Sequence, residues 1–131
     1  MNTYLPRSGQ EAKKKEKVTE MTVAELAEAM NLVILTGSEE GGLQREVAGC
    51  YCCDLLSMTM GRAKKDDAYI TVMANVNTVA VSLLADISCI IFSEGITPGD
   101  DVVGRASIED IPILLSGEPT FETAVALSHF I

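Results

Sequence analysis

The 131 residues carry a formal net charge of −9, are 47% hydrophobic and only 5% aromatic, and contain no Trp. A chain of this length has room for one core and not for a core plus a separate catalytic lobe; its short runs of Ala, Val, Leu and Ile have the texture of an α/β protein with buried strands. Residues 1–20 hold five basic and three acidic residues, the rest five basic against sixteen acidic, a net of −11, which leaves no basic stripe for nucleic acid to replace its counterions with.

In chain order, residues 1–20 are polar, contain Pro6 and Gly9, and offer no apolar face; they read as a flexible charged leader, helical at most near its end. A second segment, 21–131, reads as one domain. Thr22 and Glu25 have capping-box spacing, and Val23, Leu26, Ala27 and Met30 follow at helical intervals, so a short amphipathic helix starts here. Asn31–Thr36 reads as a strand closed by Gly37, Ser38–Gly42 as a polar turn, and Glu46–Cys53 as a second strand. Asp54 is placed to cap a short helix over Leu55–Met60, with Gly61 ending it. Ala68–Ala74 alternates as a third strand, Asn75 or Asn77 caps a helix over Thr78–Leu84, and Ile87–Phe92 is a continuous apolar strand that needs cover on both faces. Asp100–Glu109 is a helix weakened by Gly104; Ile111–Leu115 is the last strand. Pro119 opens a final helix, near its first position, with Phe121, Ala124, Val125 and Leu127 as its apolar residues. Strand and helix alternate throughout, which predicts a three-layer α/β/α fold on a mostly parallel sheet of about five strands.

Familiar catalytic signatures are missing. Gly61-Arg-Ala-Lys-Lys lacks the spacing and the hydroxyl of a P-loop, and no dinucleotide glycine fingerprint, nucleophile elbow or His-Glu-x-x-His motif occurs. His129 falls at a helix end and is assigned no function; Asp66-Asp67 and Asp100-Asp101 read as solvated caps without further metal ligands. Cys50, Cys52 and Cys53 crowd one strand, but alternation turns Cys53 away from the other two, so neither a metal site nor a redox role is assigned. With no apolar run long enough for a membrane span and no secretory h-region, the thiols read as reduced and the protein as cytoplasmic. The signal that remains lies in small polar residues after the strands, where open α/β sheets take ligands: Thr36 and Gly37, Asn75 and Asn77, Ser93, and Ser116. Were all strands parallel, these turns would gather along one edge, and Arg45 would add the positive charge that a phosphate or carboxylate needs.

Several blocks resemble a known family. Gly42-Leu-Gln-Arg-Glu-Val-Ala-Gly49, Asp54-Leu-Leu-Ser-Met-Thr-Met-Gly61, Ala68-Tyr-Ile-Thr-Val-Met-Ala-Asn-Val-Asn77, and Ile111-Pro-Ile-Leu-Leu-Ser116 with Thr120-Phe-Glu122 resemble the DRTGG domain, itself similar to the N-terminal domain of HPr kinase/phosphorylase. The resemblance runs over essentially Met21–Ile131. Arg45 and Gly49 match the family's Arg and one of its glycines, while Gln44 stands where the family has Asp, and Ala48 and Cys50 depart from a strict pattern. What the resemblance implies is a regulatory bacterial module in a stand-alone short form, since the kinase activity of HPr kinase belongs to a separate P-loop domain.

Residue reading and resemblance together predict a non-catalytic module that senses a small anionic ligand, such as a nucleotide, forms a homodimer, or does both. Thr36, Gly37, Arg45, Gly49, Asn75, Asn77, Ser93 and Ser116 are its candidate ligand-binding residues, with no cofactor, metal, nucleic acid or membrane partner. The alternatives are a ligand-free subunit that docks on a metabolic or redox enzyme and, further off, a thiol- or metal-dependent enzyme.

Overall fold

The computed structural model describes residues 20–131. The leader expected over residues 1–20 therefore lies, but for Glu20, outside the described residues. Strand β1 (Met21–Thr22) leads into helix α1 (Val23–Ala29), and the capping box is present in full: Glu25 N–H donates to Thr22 Oγ1 at 3.1 Å and Thr22 N–H to Glu25 Oε1 at 3.0 Å. The chain continues through β2 (Val33–Thr36), a 3-10 turn (Gly42–Gln44), β3 (Glu46–Val47), β4 (Gly49–Cys52), α2 (Leu56–Arg62), β5 (Asp67–Thr71), α3 (Val76–Leu84), β6 (Cys89–Phe92), α4 (Asp100–Glu109), β7 (Ile113–Leu115) and α5 (Thr120–Ser128).

The main sheet has the order β2-β7-β6-β5-β4. Strands β4 to β7 are parallel neighbours in sequence order, joined by helical crossovers, whereas β2 pairs antiparallel with β7. The three-layer, mostly parallel five-stranded sheet read from the sequence is thus the architecture found. One sheet face, with Ala68, Ile70, Cys89, Ile91 and Leu114, is covered by Val23, Leu26 and Ala27 of α1 and Leu127 of α5. On the opposite face Ile90, Phe92 and Ile113 meet Val79 of α3 and Val102 and Ala106 of α4. Helix α2 joins this second layer through Thr59, whose hydroxyl donates to Tyr69 OH at 3.0 Å. None of these helices is long and apolar enough to cross a membrane.

Several local expectations are corrected. The Glu46–Cys53 strand divides at Ala48, because β3 pairs with the short β1 while β4 joins the main sheet. Asp54 does not cap α2: the N-cap is Leu55, without a side-chain bond, and Asp54 Oδ1 instead accepts from Thr71 Oγ1 at 2.8 Å and Val72 N–H at 2.9 Å. Those bonds draw the chain off the ladder, so β5 stops at Thr71 and does not reach Ala74. Gly61 lies within α2, which closes at Ala63. Asn75, not Asn77, caps α3, and Pro119 occupies the N-cap of α5 rather than its first turn. Of the apolar residues expected to bury α5, Leu127 is buried and Ala124 packs beside it, whereas Phe121 and Val125 are exposed; Thr123 takes a buried place, its hydroxyl 2.7 Å from Ser116 Oγ.

Candidate functional site

The antiparallel β2 separates the residues expected to form one site. Its end, Thr36-Gly37, falls at the amino ends of β6 and β7, as do Arg45 and Gly49 at the start of β4. Asn75, Asn77, Ser93 and Ser116 follow the carboxy ends of β5, β6 and β7. The eight residues therefore fall into two groups at opposite ends of the sheet.

At the carboxy ends the polar groups are engaged with one another. Asn75 Oδ1 accepts from Asn77 N–H at 2.8 Å, Ser93 Oγ lies 2.7 Å from Thr120 Oγ1, and Ser116 Oγ also accepts from Glu118 N–H at 3.1 Å. Thr36 is likewise spent: buried, it donates to Ile111 O at 2.6 Å and accepts from Ile113 N–H at 2.8 Å, bridging the register shift between β2 and β7. Gly37 has φ +120°, and a Cβ there would come within 2.9 Å of Leu43, so the residue serves the turn.

Arg45 was expected as the anion's counter-charge. Its guanidinium instead donates to Ile87 O at 3.1 Å, to Asp86 O and Oδ1 at 3.0 Å each, and to Asp66 Oδ1 at 3.0 Å. Two carboxylates already balance it. Burial pushes the Asp66 carboxyl up, but hydrogen bonds from Arg45 and Lys65 outweigh this and hold it below its ordinary value. Arg45 is thus a brace that ties the start of β3 to the turns before β5 and β6.

What Arg45 braces is a shallow, open depression of about 410 Å3 beside the edge strand β4. It is lined by Ala48 to Tyr51 and by Asp67, and its rim carries Arg62 from the end of α2 and Lys64 and Lys65 from the turn that follows. Three of the five basic residues in 20–131 meet here, in a part of the chain with sixteen acidic side chains beyond Glu20. Lys65 is shared with Asp66 at 3.2 Å and Asp86 at 4.0 Å, whereas among the described residues Arg62 and Lys64 have no carboxylate within 4.0 Å. Asp67 accepts Lys64 N–H at 2.8 Å, and a Cβ on Gly49 would stand 2.6 Å from its other oxygen, so only glycine lets β4 lie against that carboxylate. Three basic side chains around an open depression, in an otherwise acidic domain, make this the place where a multiply charged anion is attracted.

Of the expected residues, Gly49 lines this depression and Arg45 supports it. Arg62, Lys64 and Lys65 were read from the sequence as part of a failed P-loop pattern; their clustering within four positions of an acidic chain was the available signal. Among the described residues no three His, Cys, Asp or Glu side chains converge as metal ligands.

No protein-family model matches the chain, and no curated protein matches it. Among solved structures it is similar to the CBS and DRTGG domains of the regulatory region of Clostridium perfringens pyrophosphatase, a crystal structure in complex with the activator diadenosine tetraphosphate. The TM-score is 0.65 at 12% identity, over 92% of this chain and 55% of that one. The chain thus spans about half the length of that structure, and the likeness is one of fold. A DRTGG-like fold, inferred above from separate sequence blocks, is supported at that level.

Proposed function

We propose that this chain is a non-catalytic regulatory module whose domain, from Met21 onward, takes a small anionic ligand of nucleotide size in the depression beside β4. The concentration of Arg62, Lys64 and Lys65 on one rim carries this reading, since the rest of the domain repels anions. The similar pyrophosphatase region was crystallised with a dinucleoside polyphosphate activator, which makes that chemical class the first probe. Titration calorimetry with mono-, di- and polyphosphate nucleotides, diadenosine tetraphosphate among them, tests it. Heat is expected to grow with phosphate number and to weaken with added salt; no heat with any of them sinks the reading. A cytoplasmic setting and the absence of catalysis belong to the same proposal.

A second reading concerns assembly. Among the described residues edge strand β2 exposes Val33, Ile34 and Leu35 at 56, 42 and 37% and pairs on one side only, which suits an isologous β2–β2 contact between two copies. Light scattering is expected to give a dimer that Ile34→Lys dissociates. Both copies are acidic, so this contact tightens with salt where ligand binding loosens. A monomer that co-purifies with a partner enzyme would instead favour the ligand-free docking subunit.

A further inference from the structure

The four cysteines occupy unlike environments. Cys89 on β6 is buried, and burial pushes its thiol up to about 12, which leaves it inert. Cys53 is engaged in a local turn, accepting from Leu55 N–H at 3.4 Å and donating to Leu55 O at 3.6 Å. Cys50 and Cys52 share one face of β4, with their sulfurs 3.9 Å apart. Cys52 is exposed and Cys50 half-buried, and Cys50 also lines the depression rimmed by Arg62, Lys64 and Lys65.

We propose that Cys50 and Cys52 form a reversible dithiol switch, in which Cys52 attacks an anionic low-molecular-weight disulfide drawn to the basic rim and Cys50 resolves the adduct. The inference goes beyond ligand sensing and stands apart from it, because a chain that binds no nucleotide can still close this bridge.

The sulfur chemistry separates the two roles. The hydrogen bond between the thiols, with burial and the neighbouring Cys52 charge, holds the Cys50 proton in place. That same bond stabilises a thiolate at Cys52, bringing it to about 7 against burial and the nearby Asp54. The Cys52 thiolate attacks one sulfur of R–S–S–R; the S–S bond breaks and RS− leaves, taking up the proton that Cys52 lost. Cys50 then gives its proton to the medium and attacks Cys52 Sγ in the mixed disulfide, expelling a second RS−, which is protonated in turn. Two thiols of the chain are oxidised to one disulfide, and one small disulfide is reduced to two thiols.

Closure moves the sulfurs from 3.9 Å to about 2.05 Å. Two residues of extended strand span about 6.6–6.8 Å, the upper limit of Cα separation for a disulfide at about 6.8 Å, so β4 must bend. As an edge strand it has, among the described residues, only β5 as a ladder partner to bend away from. The strain makes the bridge easily reduced, as a reversible switch requires, and the bend shifts Cys50 in the lining of the depression.

The test is to incubate the reduced full chain with oxidised glutathione near neutral pH and follow intact mass with differential alkylation. The expected product lacks two hydrogens, has Cys50 and Cys52 bridged and Cys53 and Cys89 free, and reverts with dithiothreitol. Cys50→Ser is expected to stop at a glutathione adduct on Cys52, and Cys52→Ser to slow modification at least about tenfold. A wild-type adduct that never closes, a bridge to Cys53 or Cys89, equal rates in the two variants, or no reaction each overturns the proposal; the wild-type map decides even where a variant fails to fold.

Discussion

The two ends of the parallel strands are held by different chemistry. The carboxy ends are tied mostly by hydroxyls, in the Ser93–Thr120 and Ser116–Thr123 pairs and the Thr71–Asp54 bond. The amino ends are tied by charge: Arg45 joins Asp66 and Asp86, and Asp110, in the left-handed region at φ 55°, accepts from Ser38 N–H, Ser38 Oγ and Gly42 N–H at 2.7–2.9 Å. Both ends are rich in donors, yet among the described residues only the amino end leaves cations open. A loop full of Ser, Thr and Asn is a binding loop only if its donors lack partners, and among the described residues no buried side-chain polar atom does.

The largest expected effect is at the charged end. Arg45→Met removes four hydrogen bonds and leaves Asp66 and Asp86 with only the exposed Lys65 ammonium, at 3.2 and 4.0 Å, between them. A loss of about 3 kcal/mol in urea unfolding is expected, reduced from the value for a buried pair because the group is partly exposed. Unchanged stability with lost nucleotide binding would make Arg45 a ligand contact and undo the contrast. At the hydroxyl end, Ser116→Ala or Thr123→Val alone removes the bond between two buried hydroxyls and leaves the survivor only its contact with the Glu118 backbone, and is expected to lose about 1 kcal/mol. The double variant should lose clearly less than the sum, since no hydroxyl is then left unpaired in that pair.

Acid separates the two ends more finely. Hydrogen bonds from Ser38 and Gly42 hold the Asp110 carboxyl below its ordinary value, as those from Arg45 and Lys65 hold Asp66. A depressed folded value stabilises above the unfolded one, and that stability drains as pH falls through the folded value, so the loss begins near about pH 4 and continues downward. Denaturation curves taken from about pH 6 to about pH 3 should show this acid limb in the wild type and a shallower one in Asp110→Asn. In Ser116→Ala the limb should keep its wild-type slope. Equal flattening in both variants would break the distinction.

How far the sequence spoke follows from the range of each interaction. The capping box at Thr22 and Glu25, the alternation along Ala68–Ala74 and the apolar run of β6 are local patterns, and the elements they imply are present, the second only as far as Thr71. The direction of β2 was not legible, because Val33-Ile-Leu35 reads as an interior strand and its antiparallel partner β7 lies about 80 positions away, Ile34 opposite Leu114. Arg45 read as a free cation for a similar reason: its partners lie 21 and 41 positions away. Asp54 fitted a cap by position, yet its bonds go to Thr71 and Val72 across the sheet. Of the candidate site, Gly49 was found through the family resemblance, while the cation rim needed the α2–β5 turn to be laid against β4.

The smallest change in stability should accompany the largest change in binding. Arg62 and Lys64 are exposed and, among the described residues, pair with no carboxylate, so Arg62→Ala with Lys64→Ala is expected to shift unfolding by no more than about 0.5 kcal/mol. The same double variant should weaken polyphosphate binding at least about tenfold and flatten its dependence on salt, because fewer screened charges then contribute. Thr36, Asn75 and Ser116, whose side chains are already committed to bonds within the fold, should show the reverse balance when truncated. A double variant that keeps full affinity would move the ligand away from the β4 depression, and one that unfolds would mean that the rim, like Arg45, belongs to the frame.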